Sequence, residues 1–329
     1  MPFLVSLFFG FAPMFLFAYI LYWTDRYERE PKILLGAVFF WGMAIAAGGA
    51  FIINTVLGMG VYVFTGSESA SDLATGSIIA PIVEESLKGL AVLIVFFVFR
   101  KEFDSILDGI VYAGITALGF AATENTHYIY NMGYLDGGWD GLWFLVFVRV
   151  ILVGWQHPFY TSFIGIGLAM ARLNRSGLVK FFAPLFGFGI ALFTHAMHNT
   201  LASLLGGLSG LAIGTALDWT GWLFMFIFIL WAISSERKLL KLHLQEEYTL
   251  GLLSAQQYHT AISTGKQSSA RLRALFSGRY AATRRFYQVC GELAHKKNQF
   301  HKLGNERNNV ELIQEYRAEL GALKEQALV

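Results

Sequence analysis

Charge and cysteine are both scarce in this sequence, and each scarcity excludes a class of protein. Only 15% of the 329 residues are Asp, Glu, Lys or Arg, whereas soluble domains carry about 25%. The single cysteine, Cys290, excludes an internal disulfide and fits a reducing compartment. Hydrophobic residues make up 55% of the chain, with 30 phenylalanines and eight tryptophans. This composition indicates a membrane protein rather than a water-soluble one.

The charge divides the chain into two parts. Residues 1–234 hold ten Lys/Arg and fourteen Asp/Glu, whereas residues 235–329 hold fifteen Lys/Arg and nine Glu. We therefore predict a transmembrane domain at 1–234 and a basic helical tail at 235–329. Apolar residues in the tail recur at helical spacing, which predicts three or four short amphipathic helices. The glycines expected to separate them are Gly251, Gly265, Gly278 and Gly304.

Long apolar runs predict the membrane spans, because about twenty apolar residues cross the hydrocarbon core. The runs lie roughly at 3–23, 33–57, 77–99, 106–130, 145–171, 179–205 and 211–233. The first lacks a basic region before it and a small-residue cleavage site, and it is too long for a signal peptide, so it is interpreted as a span. The prediction is an all-α fold, a polytopic membrane bundle of about seven transmembrane helices with a C-terminal helical extension.

Lys and Arg in the short loops predict the orientation, since such residues favour the cytoplasmic side. They occur in alternate loops, at Arg26, Arg29 and Lys32, at Arg100 and Lys101, at Arg172, Arg175 and Lys180, and at Arg237, Lys238 and Lys241. The intervening loops at 58–76, 131–144 and 206–210 have none. We therefore expect a multi-pass protein of the plasma (inner) membrane, with its N-terminus outside and its C-terminus in the cytoplasm.

Several ionisable residues fall inside the predicted spans, where a charge costs about 2.5–3.5 kcal/mol and suggests a function. They are Glu84, Glu85, Lys88, Glu124, Arg149, His157, His195 and His198. Four of them, Glu84, Glu124, His157 and His195, lie about six to ten residues from the outer ends of their spans. At 1.5 Å per residue they share a layer roughly 10–15 Å below the outer surface. The spacing thus predicts one polar cluster that opens towards the outer leaflet.

This cluster contains the groups that peptide hydrolysis needs. A carboxylate in a site of low dielectric constant can act as a base, and histidine or asparagine can donate to an oxyanion. No serine or cysteine nucleophile is required, so we expect water to attack. The predicted catalytic residues are Glu84, Glu85, Glu124, His157, His195 and Asn199. The predicted supporting residues are Lys88, Asn125, Arg149 and His198, with Lys88 and Arg149 as counter-charges.

Four motifs in order resemble the PrsW family of intramembrane proteases. APIVEESLKGL resembles its EExxK motif, and LDGIVYAGITALGFAATEN resembles a second motif that ends in FxxxEN. The later segments QHPFYTSFIGIGLAMAR and FTHAMHN resemble the third and fourth motifs, and DRYEREP resembles an early Asp–Glu–Pro region. The family is related to the CAAX prenyl proteases. The resemblance covers about residues 3–234 and leaves the tail uncovered.

The resemblance implies an intramembrane protease whose functional set is Glu84, Glu85, Glu124, His157 and His195. It also implies a single-pass membrane protein as substrate, similar to anti-sigma factors. A second histidine, His198, leaves the choice between His195 and His198 open, although the HxxxN spacing selects His195. The lipid bilayer is the other expected partner, and no nucleic acid is expected.

Three alternatives stay open from the sequence. The favoured scheme has no cofactor, but a zinc-dependent version could use Glu84, Glu85, Glu124, His157 and His195 from different helices, although no HExxH is present. A proton-coupled transporter also uses membrane carboxylates and histidines, but it usually has internal repeats, which this sequence lacks. The same groups could also form a purely structural ion-pair cluster.

Overall fold

The computed structural model describes residues 1–205, 207–305 and 308–329, except for the side chains at 208, 209 and 211. Within these ranges the regular structure is helical and contains no strand, which confirms the predicted all-α class. The α-helices are α1 Pro2–Thr24, α2 Lys32–Phe40, α3 Ala47–Thr65, α4 Glu68–Ala74, α5 Ala80–Val98, α6 Ile106–His127, α7 Asp136–Val146, α8 Gln156–Arg172, α9 Gly177–Leu205, α10 Gly207–Thr249, α11 Ala255–Ala261, α12 Thr264–Phe276, α13 Tyr280–Leu303 and α14 Asn309–Leu323.

Five helical stretches among the described residues are long and apolar enough to cross a membrane. They are Pro2–Thr24, Lys32–Thr65, Ile106–Arg172, Gly177–Leu205 and Ala212–Thr249. A helical membrane bundle is therefore confirmed, but the predicted count of seven spans is not. The 67-residue stretch contains α6, α7 and α8, while α5, which carries Glu84, Glu85 and Lys88, is not among the five. Of the predicted loop at 206–210, residues 207–210 belong to α10, and residue 206 lies outside the described residues.

Helix α6 forms the centre of the bundle. Every residue from 107 to 122 is buried, as expected for a helix that is packed on all sides. Glycines allow its backbone to approach α8 closely, because a Cβ atom added at Gly165 would lie 1.9 Å from the carbonyl oxygen of Gly109. This contact fixes α8, which carries His157, against α6, which carries Glu124.

The predicted fifth span, 145–171, is not one continuous helix. It contains the end of α7, a π-helix at Phe147–Leu152, a break at residues 153–155 and then α8. Pro158, directly after His157, lies in the first turn of α8, where a proline removes no intrahelical hydrogen bond.

The tail forms a second helical layer on the membrane helices. Helix α10 runs for 43 residues without a break through the predicted boundary at 234/235. Gly251, Gly278 and Gly304 have positive φ angles between helices, as predicted, but Gly265 lies inside α12 and breaks nothing. Helices α11 to α14 then pack with the end of α10 around a core to which Tyr27, from the α1–α2 loop, also belongs. The tail is thus attached to the bundle.

Candidate active site

A cavity of about 910 Å³ opens within the bundle and collects most of the predicted residues. Its walls are formed by residues 47–59 of α3, the segment before α5, and polar positions on α6, α8 and α9. The predicted residues that line it are Glu84, Glu124, Arg149, His157, His195, His198 and Asn199. The structure therefore brings together groups from five separate helical segments. Four of these groups, Glu84, Glu124, His157 and His195, were predicted to lie at similar depths.

Glu84 and Glu85 differ in what surrounds them. Glu84 lines the cavity, where its Oε1 accepts a hydrogen bond from Asn54 Nδ2 at 3.5 Å and its Oε2 has no hydrogen-bond partner. Glu85 is completely buried behind it, and Lys88 Nζ lies 2.6 Å from its Oε1. Lys88 is itself fully buried and lies 3.7 Å from Glu84 Oε2. Only Glu84 therefore faces the open space.

His195 is held by Glu85. Its Nδ1 lies 3.0 Å from Glu85 Oε1, while Thr161 Oγ1 donates to the other oxygen of Glu85 at 2.8 Å. These contacts leave the Nε2 atom of His195 directed at Glu84 Oε2, at 3.8 Å. Tyr160 stacks on the imidazole with a centroid distance of 5.0 Å. A carboxylate that contacts one nitrogen of an imidazole fixes the direction in which the other nitrogen points.

Glu124 contacts two further polar residues of the cavity, Arg149 and His157. It forms an ion pair with Arg149 Nη2, and its Oε2 lies 2.8 Å from His157 Nε2. Arg149 Nε also donates to Asn125 Oδ1 at 2.9 Å. His157 Nδ1 lies 3.3 Å from Lys88 Nζ, so both nitrogens of this imidazole have polar neighbours. Lys88 and Arg149 thus lie beside the carboxylates that they were predicted to balance.

His198 belongs to a neighbouring network that the sequence interpretation missed. Its Nδ1 lies 2.8 Å from Asp218 Oδ2, and Gln156 Nε2 donates to the same oxygen at 2.5 Å. Tyr160 donates its hydroxyl to Asp218 Oδ1 at 3.3 Å. Asp218 is a lone acid in the last apolar run, and this was the signal that could have identified it.

Asn199 lies on the cavity wall but is engaged with the backbone. Its Nδ2 donates to the carbonyl oxygen of Gly76 at 2.9 Å, in the π-helix Thr75–Ile79 that precedes α5. The amide therefore ties α9 to the segment that leads into Glu84. Its predicted contribution to an oxyanion site depends on the remaining N–H.

Three of the residues have the arrangement of a metal site. One ligand atom each from Glu84, His157 and His195 lies within 4.8 Å of the others. Two imidazoles with one glutamate are a donor set of catalytic zinc enzymes. Glu84 Oε2 is buried without a hydrogen bond, so it is ready to ligate, whereas His157 would have to exchange its contact with Lys88 or with Glu124. The donor set fits zinc.

Comparison with known proteins identifies the family. A family model described as "PrsW family intramembrane metalloprotease" matches residues 30–232. Protease PrsW of Clostridioides difficile (strain 630) is 37% identical over 108 residues, which are 32% of this chain and 43% of that protein. Protease PrsW of Geobacillus kaustophilus (strain HTA426) is 33% identical over 125 residues, or 38% and 52% of the two chains.

A third relative is matched over more of its length. Protease PrsW of Bacillus subtilis (strain 168) is 30% identical over 165 residues, which are 50% of this chain and 68% of that protein. The chain thus spans about half the length of the first two relatives and two thirds of the third. No solved structure matches it. Since the family model covers more than half of the sequence and includes every residue of the cavity cluster, the chain belongs to the PrsW family.

Proposed function

We propose that this protein is an intramembrane endopeptidase that hydrolyses a membrane-anchored protein with an activated water molecule. The observation that carries the proposal is the convergence of Glu84, Glu124, His157 and His195 on one cavity inside an apolar helical bundle. Buried ionisable groups in a membrane are costly, so a cluster of them at a cavity indicates chemistry there. Membership of a protease family supports the same conclusion.

In this proposal Glu84 acts as the base. Of the two neighbouring glutamates it is the one that lines the cavity, and its Oε2 has no hydrogen-bond partner, so in this proposal it takes the proton from water. Glu85 is a positioning residue, because it contacts Lys88, Thr161 and His195 and is absent from the cavity wall. His195 Nε2, which is directed at Glu84, would donate to a carbonyl oxygen as it becomes negative. His157 contacts Glu124 and Lys88 and would hold Glu124 in place.

The same residues provide for a metal-assisted version. Glu84, His157 and His195 would hold a zinc ion, with Glu85 and Glu124 supporting the two imidazoles from behind. Zinc bound there would polarise the carbonyl and make a water molecule more acidic. In this version Glu84 is a ligand, so the base would come from another carboxylate of the cluster, and Glu124 lines the cavity beside His157.

One assay separates these versions and also tests the proposal. Full-length protein in detergent is incubated with a single-pass membrane reporter, with and without a zinc chelator, and the products are measured by mass spectrometry. A glutamate-only enzyme keeps its activity in chelator, whereas a zinc enzyme loses it and regains it with added zinc. A bound-metal measurement on protein purified without added zinc gives an independent answer.

The rival function, proton-coupled transport, makes a different prediction for the same protein. A transporter reconstituted in vesicles would move protons or solute and leave the reporter intact. Absence of cleavage of a panel of single-pass reporters, together with proton flux that depends on Glu84, would contradict the proteolytic proposal.

The substrate class and the membrane orientation are parts of the same proposal. A single-pass membrane protein, such as a regulator similar to anti-sigma factors, is the expected substrate. The expected location is the plasma membrane, with the tail in the cytoplasm, as the Lys and Arg of the loops predict.

A further inference from the structure

A second cluster of buried acids lies at the opposite end of the bundle from the cavity. It is formed where the α1–α2 loop, the start of α6, the middle of α10 and helix α13 meet. Six carboxylates belong to it, namely Asp25, Glu28, Glu30, Asp104, Asp108 and Glu236. Five of these side chains are buried and Glu28 is half-buried. Nothing in the proposed hydrolysis uses them.

Three of the acids converge on one point. One oxygen each from Asp25, Glu30 and Asp108 lies within 4.8 Å of the other two. Tyr112 donates its hydroxyl to Glu30 Oε2. Asp25 is only 2% exposed, and its Oδ2 has no hydrogen-bond partner. A buried carboxylate oxygen without a partner is costly, so something is expected to bind it.

Helix capping explains Asp108 but not the other two acids. Asp108 Oδ2 accepts from the backbone N–H groups of Asp104 and Ser105, at 2.7 Å and 2.6 Å, and its Oδ1 accepts from Ser105 Oγ at 2.6 Å. The bond from Ser105 N–H, together with the bond from Asp108 N–H to Ser105 Oγ at 3.1 Å, forms the capping box of α6. A carboxylate has about four lone-pair sites, so Asp108 can still contribute one. Asp25 and Glu30 take no part in the cap.

Two of the neighbouring acids, Asp104 and Glu28, already have cationic partners. Lys296 Nζ donates to Asp104 Oδ2 at 2.9 Å, and His295 Nδ1 lies 3.0 Å from Asp104 Oδ1, although without hydrogen-bond geometry. Glu28 lies 3.8 Å from His295. By contrast, none of Asp25, Glu30 and Asp108 forms an ion pair with a lysine or arginine in the part of the chain that the structure describes. These three residues therefore meet at one point with no lysine or arginine paired to them among the described residues.

We infer that Asp25, Glu30 and Asp108 bind a hard divalent cation of the Ca²⁺ or Mg²⁺ class. All three ligands are carboxylates, which such ions prefer. Oxygens on opposite sides of a calcium ion are about 4.8 Å apart, since each Ca–O bond is about 2.4 Å. The cation would join the α1–α2 loop to the start of α6, beneath the tail.

This site is separate from the proteolytic cavity. Asp108 and Glu124 are sixteen residues apart on α6, which is about 24 Å along the helix axis at 1.5 Å per residue. A variant of one site can therefore be used as a control for the other.

The test uses full-length protein in detergent that has been treated with chelator and dialysed. Its thermal unfolding is followed while CaCl₂ or MgCl₂ is added, and Ca²⁺ binding is measured by equilibrium dialysis. We expect the unfolding midpoint to rise with the cation in a saturable way. In Asp25→Asn and in Glu30→Gln we expect an affinity at least about tenfold weaker and, without cation, a midpoint that is equal to or higher than that of the wild type.

Two matched controls identify the ligands. Glu28→Gln alters the neighbouring acids and Glu84→Gln alters the cavity, and both should keep the cation response. The inference is overturned if the wild type binds no Ca²⁺ or Mg²⁺, or if Asp25→Asn and Glu30→Gln respond as the wild type does. It is also overturned if only Glu28→Gln or Glu84→Gln loses the response. Should one variant not fold, the other and the dialysis measurement still decide.

Discussion

The adjacent residues Glu84 and Glu85 point in different directions, because successive residues on a helix are separated by about 100°. Glu84 faces the cavity, and Glu85 faces the packed interior with Lys88, Thr161 and His195 around it. A charge inside a bundle is stable only when it has partners. We therefore propose that Glu85 holds the structure of the site, while Glu84 takes part in the reaction.

This difference predicts opposite outcomes for two conservative variants. Glu84→Gln should reduce cleavage about 100-fold or more, because the base is lost, and should leave the melting temperature nearly unchanged. Glu85→Gln should destabilise the protein by about 3 kcal/mol, because it removes a partner of the buried Lys88. Reporter cleavage and thermal unfolding of the two proteins provide the comparison. Near-normal turnover by Glu84→Gln would show that Glu84 is not the base.

The two histidines of α9 should also differ. His195→Ala should reduce activity more than His198→Ala, since His195 contacts Glu85 and faces Glu84, whereas His198 contacts Asp218 and Gln156. Turnover of one reporter by both variants tests this. A larger loss at His198 would shift the assignment to the Asp218 network.

The position of each residue within its predicted span was sufficient to predict that the main residues share a site, but it did not predict their contacts. Glu84, Glu124, His157 and His195 were predicted to share a layer, and they line one cavity. Asp218 was missed, because a single acid near the start of an apolar run has no partner in its own helix. Its partners, His198 and Gln156, come from α9 and α8 and could be assigned only from the tertiary structure.

At the scale of helices, breaks in regular geometry accompany the polar positions. π-Helical turns occur at Thr75–Ile79 just before Glu84, at Tyr128–Leu135 just after Glu124 and at Phe147–Leu152 around Arg149. Such turns often occur at functional sites. Hydrophobic periodicity does not reveal the π-helix at Phe147–Leu152, because the apolar run at 145–171 continues through it. Span five was therefore predicted as one helix.

Close packing of α6 on α8 should be essential for the site. Gly165→Ala would place a Cβ atom 1.9 Å from the carbonyl oxygen of Gly109, so the helices must separate. We expect a loss of about 1–3 kcal/mol in stability and a clear loss of cleavage, because His157 moves relative to Glu124. Gly189→Ala is the matched control, since nothing lies within 4 Å of its new Cβ. Equal behaviour of the two variants would contradict this account.

The reactivity of the Cys290 thiol can be used to test whether the tail stays folded. Cys290 on α13 is fully buried in the tail core, and burial raises the pKa of its thiol well above the usual value. A thiol that is both inaccessible and protonated reacts slowly. We expect no maleimide labelling of the folded protein and full labelling after denaturation. Rapid labelling of the native protein would mean that the tail core opens in solution.

At the scale of the whole molecule, the two polar clusters lie at opposite ends of the same helices. Glu84 lies fifteen residues from Phe99, and Glu124 lies nineteen from Ser105, so the cavity cluster is about 22–28 Å from the end at which the tail packs. The tail contacts the bundle through the α1–α2 loop and the segment before α6. The tail covers the end of the bundle that is opposite the cavity.

The position of the cavity at the end opposite the tail predicts where a substrate is cut. If the tail lies in the cytoplasm, as the loop charges predict, the cavity lies in the outer half of the bilayer, where water enters most easily. A substrate helix must also unwind to expose its peptide bond, which is least costly near the end of its span. We therefore expect cleavage of a single-pass reporter near the extracytoplasmic end of its span.

Mass spectrometry of the two fragments locates this cut, and accessibility of the two termini in intact cells checks the orientation separately. A cut in the cytoplasmic third of the reporter helix, with the tail also in the cytoplasm, would contradict the depth argument. The same cut with the tail outside would instead contradict the orientation and leave the cavity as the site of cleavage. The two measurements together therefore distinguish an error in orientation from an error in the location of the active site.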